Sequence, residues 1–248
     1  MNSSLDSTRF LVLGETCKDI FVYCKAMRLA PDLPVPVLEI STITENPGMA
    51  MNVQKNILQL REKCDLVTNS DWQQITKTRY IHEESNHMFI RIDTPHDIKR
   101  FDLETIDLSY DAIVISDYNK GFLTEGDIAK IAQSHNRVYL DTKKILGSWA
   151  EDCYFIKVND YEYRRSMHNI SKSLERKIIR TLGKDGCSFQ DKKFKTTEVK
   201  VRDTSGAGDA FFAAFVVSFE RSQDIFQSLE FANTCASSVV TERGVTTI

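Results

Sequence analysis

The chain is organised around Val201-Arg202-Asp203-Thr204-Ser205-Gly206-Ala207-Gly208-Asp209-Ala210, which runs directly into the apolar residues 211–217. Small residues at 205–208 let backbone N–H groups approach an anion closely, and a helix that begins here directs its positive end at the same point. The pattern predicts a phosphate-binding cradle. Asp209 at its mouth can take a proton from a hydroxyl group while the N–H groups stabilise a transferred phosphoryl group.

A structural interpretation of the same turn stays open at this point. A glycine-rich turn before a helix is common, and Ser205 would then be an ordinary helix cap. The complete string Asp-Thr-Ser-Gly-Ala-Gly-Asp over residues 203–209 is much more specific than such a turn. We therefore prefer its interpretation as a phosphate site.

Length and charge limit the class of protein. The 248 residues suffice for one large α/β domain, and no second-domain linker is visible, so residues 1–248 are predicted to form a single domain. Lys and Arg total 32 and Asp and Glu total 35, which gives a formal net charge of −3. Since nucleic-acid binding needs a basic excess on one face, we expect a small-molecule partner and no nucleic acid.

The six cysteines are scattered, without C-x-x-C pairs or histidines at zinc-ligand spacing. The N-terminus shows no secretory signal pattern, so we expect reduced thiols in a soluble, cytoplasmic protein. A metal bound by Cys17 and Cys24 is the less favoured alternative. No apolar run approaches the length of a membrane span, and we expect no membrane partner.

Apolar segments that end in polar residues recur along the chain. They are residues 9–14, 111–117, 138–141 and 154–159. Together with the helical spacing at residues 128–132, they predict a parallel sheet whose site lies along one edge. The glycine fingerprints of dinucleotide-binding and P-loop proteins are absent, so a nucleotide would bind at the later cradle.

Further segments predict β structure outside these strands. Prolines between residues 28 and 40 exclude a helix or a central strand, which favours an exposed edge or a lid. Alternating residues from 78 to 93 flank a polar turn and predict a hairpin. Towards the C-terminus we predict a strand and a glycine-rich turn at 177–186, a hairpin at 187–200 and a helix at 229–240.

Two polar residues lie near the predicted sheet edge. Asp19 follows the first strand, where a ligand-binding carboxylate and a solvated loop residue are about equally supported. Asn46-Pro47-Gly48 is predicted to be a turn, followed by a helix. Asn52 in the first turn of that helix is a cap, a solvated side chain or a ligand for sugar hydroxyls.

The string at 203–209 resembles the signature of the ribokinase/PfkB family of carbohydrate kinases. More narrowly, several stretches look like the heptose-7-phosphate kinase module of ADP-heptose synthesis enzymes, and they run in order over nearly the whole chain. They are Leu13 to Asp19, Arg28 to Val37, Asn46-Pro47-Gly48, Ser116 to Gly121 and Phe231-Ala232-Asn233.

This resemblance implies a ribokinase-like three-layer α/β/α sandwich with a mostly parallel sheet. A small β lid would come from about residues 35–44 and 78–93. The implied activity is ATP-dependent transfer of the γ-phosphoryl group to a sugar hydroxyl, most closely of a heptose 7-phosphate or a related sugar phosphate. The cofactors would be ATP and Mg²⁺, and a homodimer through the lid is expected because an exposed β edge needs covering.

The resemblance also implies a role for each matching residue. Asp209 matches the catalytic base, and Gly206, Ala207 and Gly208 match its anion hole. Asp19, Gly48 and Asn52 fall where the family contacts the sugar hydroxyls. Arg91 and Lys120 are candidates for binding a sugar phosphate, and each is about as well explained as a surface charge.

On the nucleotide side, Asn159 and Glu162 match an N-x-x-E motif whose Glu places Mg²⁺, mostly through water. Thr181, Gly183 and Gly186 match the strand and turn beside the nucleotide. Asn233 lies near the adenine pocket of the family. The loop that contains Asp203 matches a monovalent-cation loop of some relatives, so K⁺ is a further candidate.

Several departures from the family leave the substrate open. Met49 stands where heptose kinases usually have a second glycine, and Met51 replaces a small residue, which would crowd the pocket or redirect the loop. The segments 60–78 and 171–177 are short, and the H-x-G-H motif of a fused nucleotidyltransferase is absent. The alternatives are a non-catalytic sugar-phosphate or nucleotide-binding regulator and a family kinase with another sugar or nucleoside as acceptor.

Overall fold

The computed structural model describes residues 8–248. In chain order the elements are β1 (Arg9–Gly14), β2 (Thr16–Leu29), β3 (Pro36–Met49), α1 (Ala50–Gln59), β4 (Lys63–Val67), β5 (Thr76–His82), β6 (Met88–Asp93), β7 (Ala112–Asp117), α2 (Glu125–Ser134), β8 (Val138–Thr142), β9 (Phe155–Asn159), α3 (Asp160–Ser166), α4 (Lys172–Glu175), β10 (Ile178–Thr181), β11 (Cys187–Phe189), β12 (Lys192–Phe194), α5 (Ala207–Ser222) and α6 (Ile225–Val239).

A central sheet of eight strands has the order β12-β11-β10-β9-β8-β7-β1-β4. The strands from β10 to β4 are parallel to one another, and β11 and β12 add an antiparallel end. Because parallel strands end at a common edge, Asp117, Thr142 and Asn159 at the ends of β7, β8 and β9 lie along one line. The predicted parallel sheet and its polar edge are confirmed.

Helices cover both faces of this sheet. Phe10 and Val12 of β1 pack with α1, α5 and α6, whereas Leu13 of β1 packs on the other side with α2 and α4. The alternation follows from the two-residue period of a strand. Phe212 and Phe215 of α5 are fully buried, and each such side chain contributes roughly 1.5–3 kcal/mol to folding. The three-layer α/β/α fold is confirmed.

A second sheet forms the lid, with the order β3-β2-β5-β6. The predicted hairpin at 78–93 is present as β5 and β6, but the lid is larger than predicted. The polar residues after Gly14 do not form a loop: they begin β2, a strand of 14 residues that pairs with the equally long β3 and runs parallel to β5. The sequence did not predict β2 as part of the lid, because the polar and apolar residues of β2 do not alternate regularly.

The Asn46-Pro47-Gly48 stretch is also different from its prediction. It is not a turn but the end of β3, where Pro47 pairs with Lys18. β3 is an edge strand of the lid, and an edge position tolerates a residue without a backbone N–H donor. The strand therefore continues directly into α1 and carries Gly48 to the sheet edge.

The segments at 187–200 and between Leu60 and Thr78 also allow a comparison with the prediction. The predicted hairpin at 187–200 is shorter, because β12 ends at Phe194 and residues 195–200 are irregular. The segment between Leu60 and Thr78 holds one strand, β4, before β5 begins, as expected from its length. Within residues 8–248, no helix has the length and apolar character needed to cross a membrane.

Met49 links β3 to α1 in an unusual backbone conformation. Its φ is 61° and its ψ is −132°, a combination that is natural for glycine but strained for residues with a Cβ atom. The side chain is nevertheless buried, and its sulfur lies 3.1 Å from the Lys77 ammonium nitrogen. Met49 stands where heptose kinases usually have glycine, and it therefore also carries a cost in backbone conformational energy.

We expect Met49→Gly to be more stable than Met49→Ala by about 1–2 kcal/mol, because both variants lose the thioether but only glycine relieves the backbone strain. Urea unfolding of the two variants measures the difference. Met51 in α1 is the matched control, since there alanine should be the more stable replacement. If alanine is also the better residue at position 49, the backbone is not strained there.

Candidate active site

Asp209 lies in the first turn of α5 and is buried at the meeting point of three elements. The Nδ2 of Asn52 in α1 donates to its Oδ2 at 2.9 Å. The hydroxyl of Tyr118, directly after β7, donates to its Oδ1 at 2.8 Å. Both carboxylate oxygens are therefore held in one orientation.

Burial is the largest influence on this carboxylate, and it raises the pKa of Asp209 above its ordinary value. The hydrogen bond from Asn52 acts in the opposite direction, and so does the bond from Tyr118. Burial, followed by the charge of Asp209, also raises the pKa of Tyr118 well above its ordinary value. Tyr118 is consequently a neutral hydrogen-bond donor to a carboxylate with increased basicity.

The cradle begins at Gly206, which precedes α5 in a left-handed conformation with a φ of 81°. A Cβ atom here would lie 2.9 Å from the Asn52 Nδ2, so the close approach also requires glycine. Ser205 does not cap the helix, because Gly206 occupies the cap position. The Ala207 N–H contacts the Thr204 carbonyl oxygen at 3.3 Å. The first turn of a helix leaves N–H groups without helical partners, which can face an anion.

Two lysines bring positive charge to this cradle. A Cβ atom on Gly208 would lie 3.1 Å from the Lys157 Nζ, which makes an ion pair with Asp141 at 2.8 Å. Lys143 pairs with Glu162 at 2.6 Å. Burial of Asp141 disfavours its charged form, but Lys157 and Lys143 outweigh that effect and lower its pKa. The Lys157 ammonium group therefore lies against the cradle, and that of Lys143 lies beside Glu162 and the Tyr118 ring.

The N-x-x-E residues form a capping box at the start of α3. The Asn159 backbone N–H donates to Glu162 Oε2 and the Asn159 Nδ2 donates to Glu162 Oε1, both at 2.8 Å. The Glu162 N–H donates to Asn159 Oδ1 in return. This motif therefore has a structural role as a helix cap, and its carboxylate lies at the same sheet edge as Lys143.

The residues predicted to bind the acceptor lie in β2, β3 and α1. Asp19 is inside β2 rather than in a loop, and its Oδ1 is 2.6 Å from the Arg79 Nη1. A Cβ atom on Gly48 would lie 2.0 Å from the Asp19 Oδ2, so only glycine fits beside that carboxylate. After burial and the charge of Asp209, the charge of Asp19 also contributes to the raised pKa of Tyr118. The fold thus brings Gly48 against Asp19, whereas Asn52 contacts the Asp209 carboxylate directly.

Comparison with known proteins identifies the kind of protein that has this arrangement. A family model described as pfkB family carbohydrate kinase matches residues 42–248. The chain belongs to this family of carbohydrate kinases.

Relatives of this kinase include the bifunctional protein HldE of Helicobacter pylori strain ATCC 700392 / 26695, 29% identical over 297 aligned positions. The HldE of Sulfurimonas denitrificans strain ATCC 33889 / DSM 1251 is 25% identical over 296 positions. The two alignments cover 95% and 97% of this chain but 64% and 62% of the relatives. The chain therefore spans less than two thirds of the length of these relatives.

Solved structures agree on the fold. The nucleoside kinase of Methanocaldococcus jannaschii, an archaeal member of the ribokinase family, has a TM-score of 0.73 and 17% identity, covering 97% of this chain and 94% of its own. The ribokinase of Thermotoga maritima has a TM-score of 0.72 and 18% identity, covering 96% and 94% respectively. The kinase therefore has the ribokinase fold.

On the expected nucleotide side of this kinase, the predicted residues surround the turn between β10 and β11. Thr181 ends β10, and Gly183 and Gly186 form the turn with positive φ angles of 60° and 85°. The buried Asn233 of α6 donates its Nδ2 to the Phe194 carbonyl oxygen at 3.0 Å. Asp203 accepts from the Ser205 N–H at 2.8 Å and from the Gly244 N–H at 3.2 Å. It thereby ties the loop before the cradle to the C-terminal loop.

The two predicted phosphate-binding cations have different positions. Arg91 lies in β6 directly opposite Arg79 of β5, and its guanidinium group makes two bonds of 2.7 Å to Asp93. Arg91 therefore belongs to the lid near the acceptor side. The side chain of Lys120 is exposed, and only its backbone N–H makes a defined contact, with Glu15 at 2.8 Å.

Sequence reasoning did not assign roles to several residues that lie near Asp209 or beside the Tyr118 ring. They are Lys77, Tyr118, Asp141, Lys143 and Lys157. One signal was available: Lys157 interrupts the apolar strand Phe155–Asn159, and a charged residue inside a buried strand needs a partner. The role of Tyr118 depends on a contact with a residue 91 positions away, which no local pattern shows.

Replacing Tyr118 with Phe should raise the pKa of Asp209 further, because the ionised carboxylate loses one of its two side-chain hydrogen bonds. A carboxyl carbon NMR titration measures this pKa, and the signal is assigned by its loss in Asp209→Asn. Tyr110→Phe is the control, since that hydroxyl binds Asp65 instead. An unchanged or lower pKa in Tyr118→Phe would contradict the proposed hydrogen-bond effect.

Proposed function

We propose that this carbohydrate kinase transfers the γ-phosphoryl group of ATP to a hydroxyl group of a heptose 7-phosphate or a related sugar phosphate. The observation that carries the proposal is the Asp209 carboxylate, held between Asn52 and Tyr118 at the start of α5. The acceptor class is supported by the resemblance to heptose-7-phosphate kinases and by the alignment with HldE over 95% of the chain. We further propose that residues 1–248 act as one kinase domain with its lid.

In this mechanism Asp209 is the general base. The acceptor hydroxyl, at the anomeric carbon if the acceptor is a heptose, binds within hydrogen-bond reach of one carboxylate oxygen and transfers its proton there as it attacks phosphorus. Burial favours this role because it raises the pKa of Asp209 towards the working pH. Asp19 and Asn52 bind neighbouring sugar hydroxyls, and Gly48 leaves the space for them.

The transferred group acquires its stabilisation from the cradle. The backbone N–H groups at 206–208 would turn to the phosphoryl oxygens, the Ala207 N–H leaving its contact with the Thr204 carbonyl oxygen, and the Lys157 ammonium group lies beside Gly208. Lys143 extends the positive charge towards Glu162. These ammonium groups are already in position before the reaction, so they need little reorganisation when charge develops.

For the nucleotide and its metal ion we propose the residues at the ends of β9 and β10 and in α6. Thr181, Gly183, Gly186 and Asn233 would contact ATP, and Glu162 would hold Mg²⁺ through water. Mg²⁺ keeps several waters and binds one or two carboxylates together with phosphates, so a single buried carboxylate at the sheet edge suits it. When bound, Mg²⁺ would neutralise phosphate charge. The loop at Asp203 is the candidate site for K⁺.

The lid provides the candidate surface for a homodimer. Apolar side chains are exposed along its strands and the loop between β2 and β3, namely Met27, Leu29, Leu33, Val35, Ile40, Ile43, Met88, Ile90 and Ile92. A monomeric protein rarely leaves so many apolar side chains together in water. We propose that a second copy covers this surface, which the molecular mass in solution tests.

Asp209→Asn should lower turnover by about 100- to 10,000-fold, because the amide cannot accept the acceptor proton. ATP affinity should stay nearly unchanged. The assay is acceptor-dependent ADP release with Mg²⁺, heptose 7-phosphate and a panel of phosphorylated and unphosphorylated sugars, with ATP binding measured by calorimetry. The panel also separates a heptose acceptor from a hexose, pentose or nucleoside acceptor.

Asp97→Asn is the matched control for this experiment, because Asp97 is an exposed carboxylate outside the site. It should behave like the unmodified enzyme. Near-normal turnover of Asp209→Asn would rule out the proposed base. A folded, ATP-binding protein that turns over no sugar of the panel would rule out the proposed acceptor class.

A further inference from the structure

Lys77 in lid strand β5 is a buried cation without a carboxylate partner. Its side chain is about nine-tenths buried, with an exposed fraction of 9% for the residue. Its ammonium group lies 3.1 Å from the Met49 sulfur and 5.1 Å from the centre of the Tyr118 ring. Within residues 8–248, no carboxylate oxygen lies within 4.0 Å of it.

This environment does not compensate the charge. A thioether is a weak hydrogen-bond acceptor, and a cation–π contact replaces only part of the lost hydration. The nearby Cys17 thiol cannot act as a counterion, because burial raises its pKa to about 11 even though Lys77 opposes that shift. A buried, unpaired ammonium group is costly, so its presence requires a reason outside the fold.

The neighbouring charges on the lid leave one positive charge in excess. Arg79 lies two residues from Lys77 on the same face of β5, and it pairs with Asp19. Asp19 of β2 and Asp93 of β6 both lie opposite Lys77 in the neighbouring strands, but Asp19 is bound by Arg79 and Asp93 by Arg91. Three cations thus share two carboxylates. Arg79 and Arg91 also lie directly opposite each other, which is unfavourable for like charges.

Lys77 is connected to the candidate base through Tyr118. The Tyr118 ring that lies beside its ammonium group carries the hydroxyl that donates to Asp209. Asp19 is the β2 residue opposite Lys77, and Gly48 of β3 lies against the Asp19 carboxylate. An acceptor that presents its hydroxyl to Asp209 would therefore have the lid cations around its other end.

We propose that Lys77 is the anion-binding residue of the acceptor site: the phosphate monoester of the acceptor displaces the Met49 thioether and pairs with the Lys77 ammonium group. Lys77 then determines the preference for phosphorylated over unphosphorylated sugars. The inference rests on the proposed function and adds the residue that selects its substrate class.

The decisive experiment compares heptose 7-phosphate with unphosphorylated heptose in Lys77→Met. The ratio of their kcat/KM values should fall by about 10- to 100-fold, because a hydrogen bond to a charged group is lost for only one of them. The KM for heptose 7-phosphate should rise while kcat stays similar. Lys77→Arg should retain part of the preference, and Lys130→Met, which removes an exposed lysine of α2, should retain all of it. An equal loss for both acceptors, or no loss, would overturn the proposal.

A binding measurement separates this proposal from the proposed function. In protein that carries Asp209→Asn, calorimetry gives the affinity for heptose 7-phosphate with and without Lys77→Met, and a 10- to 100-fold weakening is expected. Inorganic phosphate is the second probe. If it binds Lys77 as tightly as the sugar phosphate does, the site takes a free anion and the proposal fails. Absence of turnover in the unmodified enzyme would refute the kinase reaction on these acceptors, and binding would still decide the role of Lys77.

The unfolding temperature of Lys77→Met distinguishes an anion-binding role from a purely structural role, because the two roles predict changes of opposite sign. Lys77→Met should unfold at a higher temperature than the unmodified protein, since an apolar chain of similar length replaces an unpaired buried charge. Heptose 7-phosphate should then stabilise the unmodified protein more than the variant. A lower unfolding temperature for Lys77→Met would show that Lys77 supports the fold and would overturn the proposal.

Discussion

The hydrogen bonds to the Asp209 carboxylate are the constraint on which the rest of the structure depends. Each donor is positioned by a different element. Asn52 lies in α1, where its carbonyl oxygen accepts from the Asn56 Nδ2 at 2.8 Å. Tyr118 lies in the loop after β7. That loop is held by the buried Glu15, whose carboxylate accepts from the Tyr118 N–H at 2.7 Å and the Lys120 N–H at 2.8 Å. Helix α1, strand β7 and helix α5 must therefore all reach the same edge of the sheet. A buried carboxylate without these donors would be much more costly.

The same edge carries a row of buried ion pairs. Asp117 pairs with Lys144, Asp141 with Lys157 and Glu162 with Lys143. Buried pairs are weak evidence for stability, because the loss of hydration offsets much of their attraction. The Lys157 ammonium group is held beside Gly208 by its pair with Asp141. We therefore attribute the stability of the sheet to its two apolar layers rather than to the charges at its edge.

The sequence predicted what depends on local pattern. Apolar runs that end in polar residues predicted β1, β7, β8 and β9, and the string at 203–209 predicted the turn that begins α5 and selected Asp209 as the candidate base, because both features are contiguous in the chain. Strand β2 was missed, since its pairing with β3 and β5, not its own composition, makes it a strand. Tyr118 and Lys77 were missed for a similar reason. Their importance comes from contacts with Asp209 and Met49, which only the tertiary structure brings together.

Met49 shows how the unfavourable features of the site are related. Its backbone adopts a glycine-like conformation, and its side chain covers an ammonium group that has no counterion. Each feature alone opposes folding, yet they occur at one point between the lid and the start of α1. Local rules of folding are most often broken where a site needs a particular arrangement. The thioether excludes water from Lys77 without neutralising it, so it keeps the cation in place and leaves its charge available to an anionic acceptor.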